Sequence, residues 1–153
     1  MAVDVQVEIV VRRPLAEVAA FAGDPANAPA WYANIRSVAW RTQPPLSIGS
    51  RMDFAARFLG RTLAYTYEVI ELEPGRRLAM STSQGPFPMR TEYTWEPVGP
   101  DATRMTLRNT GDPRGVARIS GPLLEAAMRR ATTRDLERLA ALLEARAGGD
   151  SPG

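Results

Sequence analysis

"VDVQVEIVVRRPLAEVAAFAGDPANAPAW", residues 3–31, changes its hydrophobic period halfway along, and that change decides the fold. Up to Val11 the apolar residues alternate. Val3, Val5, Val7, Ile9 and Val11 share one face, and Asp4, Gln6 and Glu8 the other, as in a half-buried antiparallel strand. Arg12-Arg13-Pro14 stops the alternation, and Pro14 suits the first turn of a helix. Leu15, Val18, Ala19 and Phe21 or Ala22 then recur at helical spacing until Gly23. Asp24-Pro25 is placed to cap a second short helix, cut off near Pro29. Neither helix is long enough to persist alone, so both must rest on an apolar surface.

From Ile35 onward the period returns to two. Strands are expected near 35–42, 50–58, 61–72, 76–83, 87–97 and 102–110, separated by the turn signals "PPLSIG", "LGR", "EPGR", "SQG" and "VGPD". Connections this short favour antiparallel hairpins. With the first strand the count is seven. Met52, Phe54, Ala56 and Phe58 form one face of their strand; Leu63, Tyr65, Tyr67 and Val69 one face of the next. Phe87, Met89, Thr91, Tyr93 and Trp95, then Met105, Leu107 and Asn109, continue it. Opposite them lies a lattice of Arg, Glu and Thr, the solvated side of a one-sided sheet. Arg57, Arg90, Glu92 and Arg108 belong there, which makes them surface charges rather than catalytic groups.

The chain closes with a long helix over about 115–146. Leu124, Met128, Thr132, Leu136, Leu139 and Leu143 form one ridge, and Ile119, Leu123, Ala127 and Ala131 a neighbouring one. The helix begins either before or after Pro122. One domain over 1–147 is expected, with 148–153 a flexible tail.

Composition narrows the chemistry. Of 153 residues, 19 are basic and 17 acidic, for a net charge of +2, and every basic residue is Arg. Without Cys, His or Lys there is no thiolate, imidazole or Schiff-base chemistry, so neither a metal nor a covalent cofactor is expected. Any catalysis would fall to Asp, Glu, Tyr, Arg, hydroxyls or bound water. The arginines are interleaved with acids and show no aromatic-basic stripe, which argues against nucleic-acid binding. No apolar run approaches the ~20 residues of a membrane span, and the first residues lack the basic head of a leader. A cytoplasmic protein without stable membrane insertion is expected.

The order strand, two short helices, six strands, long helix, together with "VVRRPLAEVAAFAGDPANAPAW", resembles the START-like (SRPBCC) superfamily, in particular its polyketide cyclase/dehydrase and lipid-transport branch. Pro14, Val18, Phe21, Asp24 and Trp31 carry the resemblance, with "EPGRRL" (73–78) at a mid-sheet hairpin and "DLERLAALLEA" (135–145) at the end. It implies an α+β helix-grip fold: a curved seven-stranded antiparallel sheet around the C-terminal helix, enclosing a cavity that the two short helices close at one end. It implies no catalytic residue, because the superfamily shares no catalytic motif.

Within such a fold the residues expected to meet a ligand are Trp31, Tyr32, Phe54, Tyr65, Tyr67, Met89, Thr91, Tyr93, Asn109, Ala127, Met128 and Ala131. Small alanines at mid-helix opposite hydroxyls and one amide set among Phe, Met and Leu match a mostly apolar site with a few placed polar groups. A solid core whose tyrosines reach the rim is the alternative. Trp31 and Tyr32 are expected to form a lid at the mouth, stiffened by Pro25 and Pro29 with Gly23 as hinge, that also does structural work; the alternative is that Trp31 only packs the short helices onto the sheet. The function implied is binding or transport of a small hydrophobic molecule: a lipid, polyketide or aromatic metabolite. The alternatives are a polyketide cyclase, aromatase or dehydratase using Tyr and bound water, and a protein-interaction module. Parity places no Asp or Glu inward, which weighs against the enzyme. The oligomeric state stays open between monomer and homodimer.

Overall fold

The computed structural model describes residues 3–58, 60–84, 88–113 and 121–149. Strand β1 (Val3–Val11) leads into helix α1 (Leu15–Ala22), a single 3-10 turn (Pro25–Asn27) and helix α2 (Ala28–Trp31). Strands β2 (Ile35–Trp40), β3 (Arg51–Phe58), β4 (Arg61–Glu73), β5 (Arg77–Thr82), β6 (Met89–Gly99) and β7 (Ala102–Gly111) follow, and then helix α3 (Gly121–Gly149). The seven described strands form one antiparallel sheet in the order β1-β7-β6-β5-β4-β3-β2.

That order explains the short helices. Strands β2 to β7 are sequential neighbours, whereas β1 and β2 occupy opposite edges, so the segment joining them must cross the sheet. Residues 12–34 make that crossing and cover one end of the concave face. Register breaks after Ile35, Val69 and Pro97 leave one extra residue each, and such bulges bend the strands that carry them.

The expected inward faces are those that are buried. Val11, Met52, Val69, Leu78, Met105 and Leu107 share a core with Leu136, Leu139 and Leu143 of α3, while Val3 packs with Leu124. The opposite face is solvated as read: Arg90 bonds Glu71 and Glu92, and Arg108 bonds Asp4. Edge strand β1 is covered by α3. Glu125 accepts the Asp4 N–H at 2.9 Å, Glu144 accepts the Arg12 N–H at 3.0 Å, and Arg129 donates to the Gln6 carbonyl at 2.8 Å. These bonds satisfy backbone groups that an open edge would leave to another chain.

Several local expectations are corrected. Pro29 does not end the second helix; it lies in the first turn of α2, where its missing N–H costs nothing. Asp24 caps the preceding 3-10 turn, accepting the Ala26 N–H at 3.0 Å. Gly23 is not a loose hinge. A Cβ there would lie 2.6 Å from the Ala19 carbonyl oxygen and 3.3 Å from the Trp95 ring, so the glycine answers a close approach. Helix α3 runs through Gly149, into the stretch read as tail. The start of the long helix before Gly121, Ile119 and Phe87 lie outside the described residues.

Candidate functional site

Between the concave face and α3 lies a cavity of about 340 Å³. Every residue expected to meet a ligand lines it except Trp31. Trp31 is wholly buried at the end of α2, its ring 4.1 Å from that of Tyr32 and 5.8 Å from that of Tyr93. Neighbouring residues at a helix end point in different directions. Tyr32 faces the cavity, and Trp31 fills the core behind it, its indole N–H unpartnered among the described residues. The roof is therefore Tyr32, and Trp31 packs the short helices down.

The alternation of β4, β6 and β7 sets a row of polar groups across the cavity floor. Thr91 and Asn109 are register partners; the Thr91 hydroxyl donates to Asn109 Oδ1 at 2.7 Å, and the Tyr67 hydroxyl lies 3.4 Å from the Thr91 oxygen. The oxygen of the Asn109 carboxamide is thus engaged, and its nitrogen has no partner among the described residues. Tyr65 likewise keeps a hydroxyl with no hydrogen bond among them. Burial raises the pKa of Tyr32, Tyr65, Tyr67 and Tyr93 above the ordinary phenol value, so all four are neutral donors and acceptors at physiological pH.

The group that sequence reading missed is Asp135. It is buried on α3, lines the cavity and accepts the Ala33 N–H at 3.1 Å through one carboxylate oxygen. The other oxygen has no hydrogen bond among the described residues. Burial raises its pKa, opposed by the Ala33 N–H and by Arg138. Asp135 follows Ala131 by four positions and Thr132 by three, the spacing that puts it on their face of the helix. A carboxylate so close to the outer Arg134, Glu137 and Arg138 reads as another surface charge, and so passes unnoticed.

Also lining the cavity, but not foreseen as such, are Asn34, Ile35, Ala56, Leu63, Met80, Thr82, Gln84, Leu124 and Thr132. The ridge of Leu123, Ala127 and Ala131 does not pack on the sheet as expected. Leu123 is 65% exposed, and both alanines are exposed lining residues, as are Asn34 and Gln84. These four lining residues mark the rim. No group of His, Cys, Asp or Glu able to hold a metal occurs among the described residues. No described helix is long and apolar enough to cross a membrane.

A curved antiparallel sheet holding a cavity against a C-terminal helix defines the START-like, helix-grip class. Within it, the chain belongs to the polyketide cyclase / dehydrase and lipid transport family, whose model matches residues 2–147. Among solved structures, the Zhui aromatase/cyclase from Streptomyces sp. R1128 is similar with a TM-score of 0.80 and 16% identity, over 96% of each chain. A START superfamily protein from Mycobacterium smegmatis gives 0.74 and 17%, over 97% of this chain and 99% of that one. The di-domain ARO/CYC StfQ from the steffimycin biosynthetic pathway gives 0.76 and 14%, over 97% of this chain and 52% of that one. At these identities the likeness is one of fold. No curated protein matches the chain.

Proposed function

We propose that the chain binds a small, mostly apolar molecule carrying a few oxygen atoms, of the polyketide, aromatic-metabolite or lipid class, in the cavity beneath α3. The observation that carries this is unspent hydrogen-bonding capacity in an apolar space: the Asn109 nitrogen, the Tyr65 hydroxyl and one Asp135 oxygen. These groups are open to the cavity space instead of being sealed, so a ligand with matching oxygens can meet them there. The direct test is native mass spectrometry of the purified protein, followed by calorimetric titration with the neutral aromatic ketone 2-acetylnaphthalene. A co-purifying small molecule or saturable 1:1 binding supports the reading; neither, at any accessible concentration, defeats it.

Asp135 favours a second reading, turnover of the bound molecule. A carboxyl group whose pKa burial raises, set in a mostly apolar cavity, suits proton transfer, the work of a cyclase or dehydratase. Its free oxygen would take a proton from carbon beside a carbonyl, while a neutral tyrosine or the Asn109 nitrogen holds the carbonyl oxygen. The presence of an aromatase/cyclase among the similar folds agrees with this chemistry without assigning it. Loss of turnover in Asp135→Asn with ligand binding retained would separate catalysis from carriage.

A further inference from the structure

Most arginines of the sheet are paired, although the exposed Arg36 and Arg57 have no ion pair among the described residues. On the convex face Arg41, Arg51, Arg77, Arg90, Arg104 and Arg108 each bond a carboxylate. On α3, Arg130, Arg134 and Arg138 are exposed and make no ion pair or hydrogen bond among the described residues. They follow one another at steps of four, forming a row in which like charges sit one turn apart and repel. The row adjoins the cavity rim: Arg130 and Arg134 lie three residues beyond the exposed lining alanines Ala127 and Ala131. The acids nearest in sequence do not cancel it: Glu137 is a single charge against three, and Asp135, which Arg138 partly stabilises, is directed to the cavity and offsets that end of the row only. At the start of β4, Arg61 shares the strand parity of Leu63 and Tyr65, and is again exposed and unpaired among the described residues.

A self-repelling row of guanidinium groups beside an apolar cavity, with only alanine methyls between, lacks one thing: an anion arriving with an apolar body. We infer that the cavity's ligand is an amphipathic anion, whose apolar part lies under α3 and whose carboxylate, phosphate or sulfonate is held at the rim by Arg130, Arg134 and Arg138. Arg suits this role because its planar fork grips such groups through paired hydrogen bonds. The inference deepens the binding function proposed above and rests on it.

Two probes of nearly equal shape test it, 2-naphthoate and the neutral 2-acetylnaphthalene, titrated calorimetrically into the intact protein at low and high ionic strength. The carboxylate is expected to bind about tenfold more tightly at low salt, with the gap closing as salt screens the rim. In the Arg134→Gln/Arg138→Gln variant, whose altered side chains are exposed, the gap should close at low salt while ketone binding is unchanged. Equal binding of both probes to the natural protein overturns the inference and leaves the binding function standing, as would happen if the row served an acidic protein partner. A preference for carboxylate that survives in the variant also overturns it. Binding of neither probe overturns this inference, and removes the cavity reading with it when no small molecule co-purifies.

Discussion

The hydroxyl oxygens of Tyr32 and Tyr93 lie 2.6 Å apart, joining the elbow after α2 to the middle of β6. One donates and the other accepts, and this bond anchors the roof of the cavity to its floor. Truncating one partner leaves the other hydroxyl buried and unmatched. Tyr93→Phe is therefore expected to cost about 1–3 kcal/mol in denaturant melts. Removing both hydroxyls should cost less than the sum of the single changes, and strict additivity would show that the two do not interact.

Asp135 gives a pH signature. Burial holds its pKa above the ordinary 3.8, so the folded protein keeps this proton longer than the unfolded chain does. Between 3.8 and the raised value the folded state binds more protons. The contribution of Asp135 to stability therefore falls as pH rises through that window, and stays at its lowest above it. Asp135→Asn keeps an oxygen for the Ala33 N–H and removes the ionisation. Relative to the natural protein, the variant should gain stability as pH rises through the window and hold that advantage at neutral pH. A difference independent of pH across a series of denaturant melts would mean that Asp135 titrates normally.

The contrast between Asp135 and Asn109 shows what the sequence makes legible. Asn109 stands out because strand parity is strict: a polar residue two positions past Leu107 must face inward, and it does. Helix faces are broader, so Asp135, at the border between the Leu136 side and the Arg134 side, could be counted with either. Trp31 and Tyr32 show a different limit. Period and turn chemistry place both at the elbow, but which ring enters the cavity depends on the exit angle of a four-residue helix that itself depends on Pro29 being tolerated in its first turn. The strands were legible because alternation is local. The depth of the cavity was not, since it follows from how far α3 stands off β3 and β4.

Packing under α3 is tested by a pair of leucines. Leu136 and Leu139 are fully buried, so changing either to Ala is expected to cost ~2–5 kcal/mol. Leu123 on the same helix is 65% exposed, and Leu123→Ala should stay within about 0.5 kcal/mol. Similar losses at all three positions would mean that α3 is rotated relative to the sheet.

The route into the cavity decides the last experiment. Ala131 is both exposed and a lining residue, one helical turn before Asp135, so a large side chain there would stand in the opening without displacing the core. Ala131→Phe should therefore weaken binding of a neutral probe such as 2-acetylnaphthalene by tenfold or more, about 1.4 kcal/mol. Stability should fall only by the helix-propensity difference, about 0.5 kcal/mol. Trp31 supplies an internal reporter: it is buried away from the ligand but its ring is 4.1 Å from Tyr32, so ligand contact with Tyr32 should alter its emission. With Trp40 and Trp95 changed to Phe, a saturable change at Trp31 should appear in the protein carrying Ala131 and vanish in Ala131→Phe. If the probe binds Ala131→Phe as tightly as before, the entrance does not pass Ala131, and the rim defined by Asn34, Gln84, Ala127 and Ala131 is a closed seam.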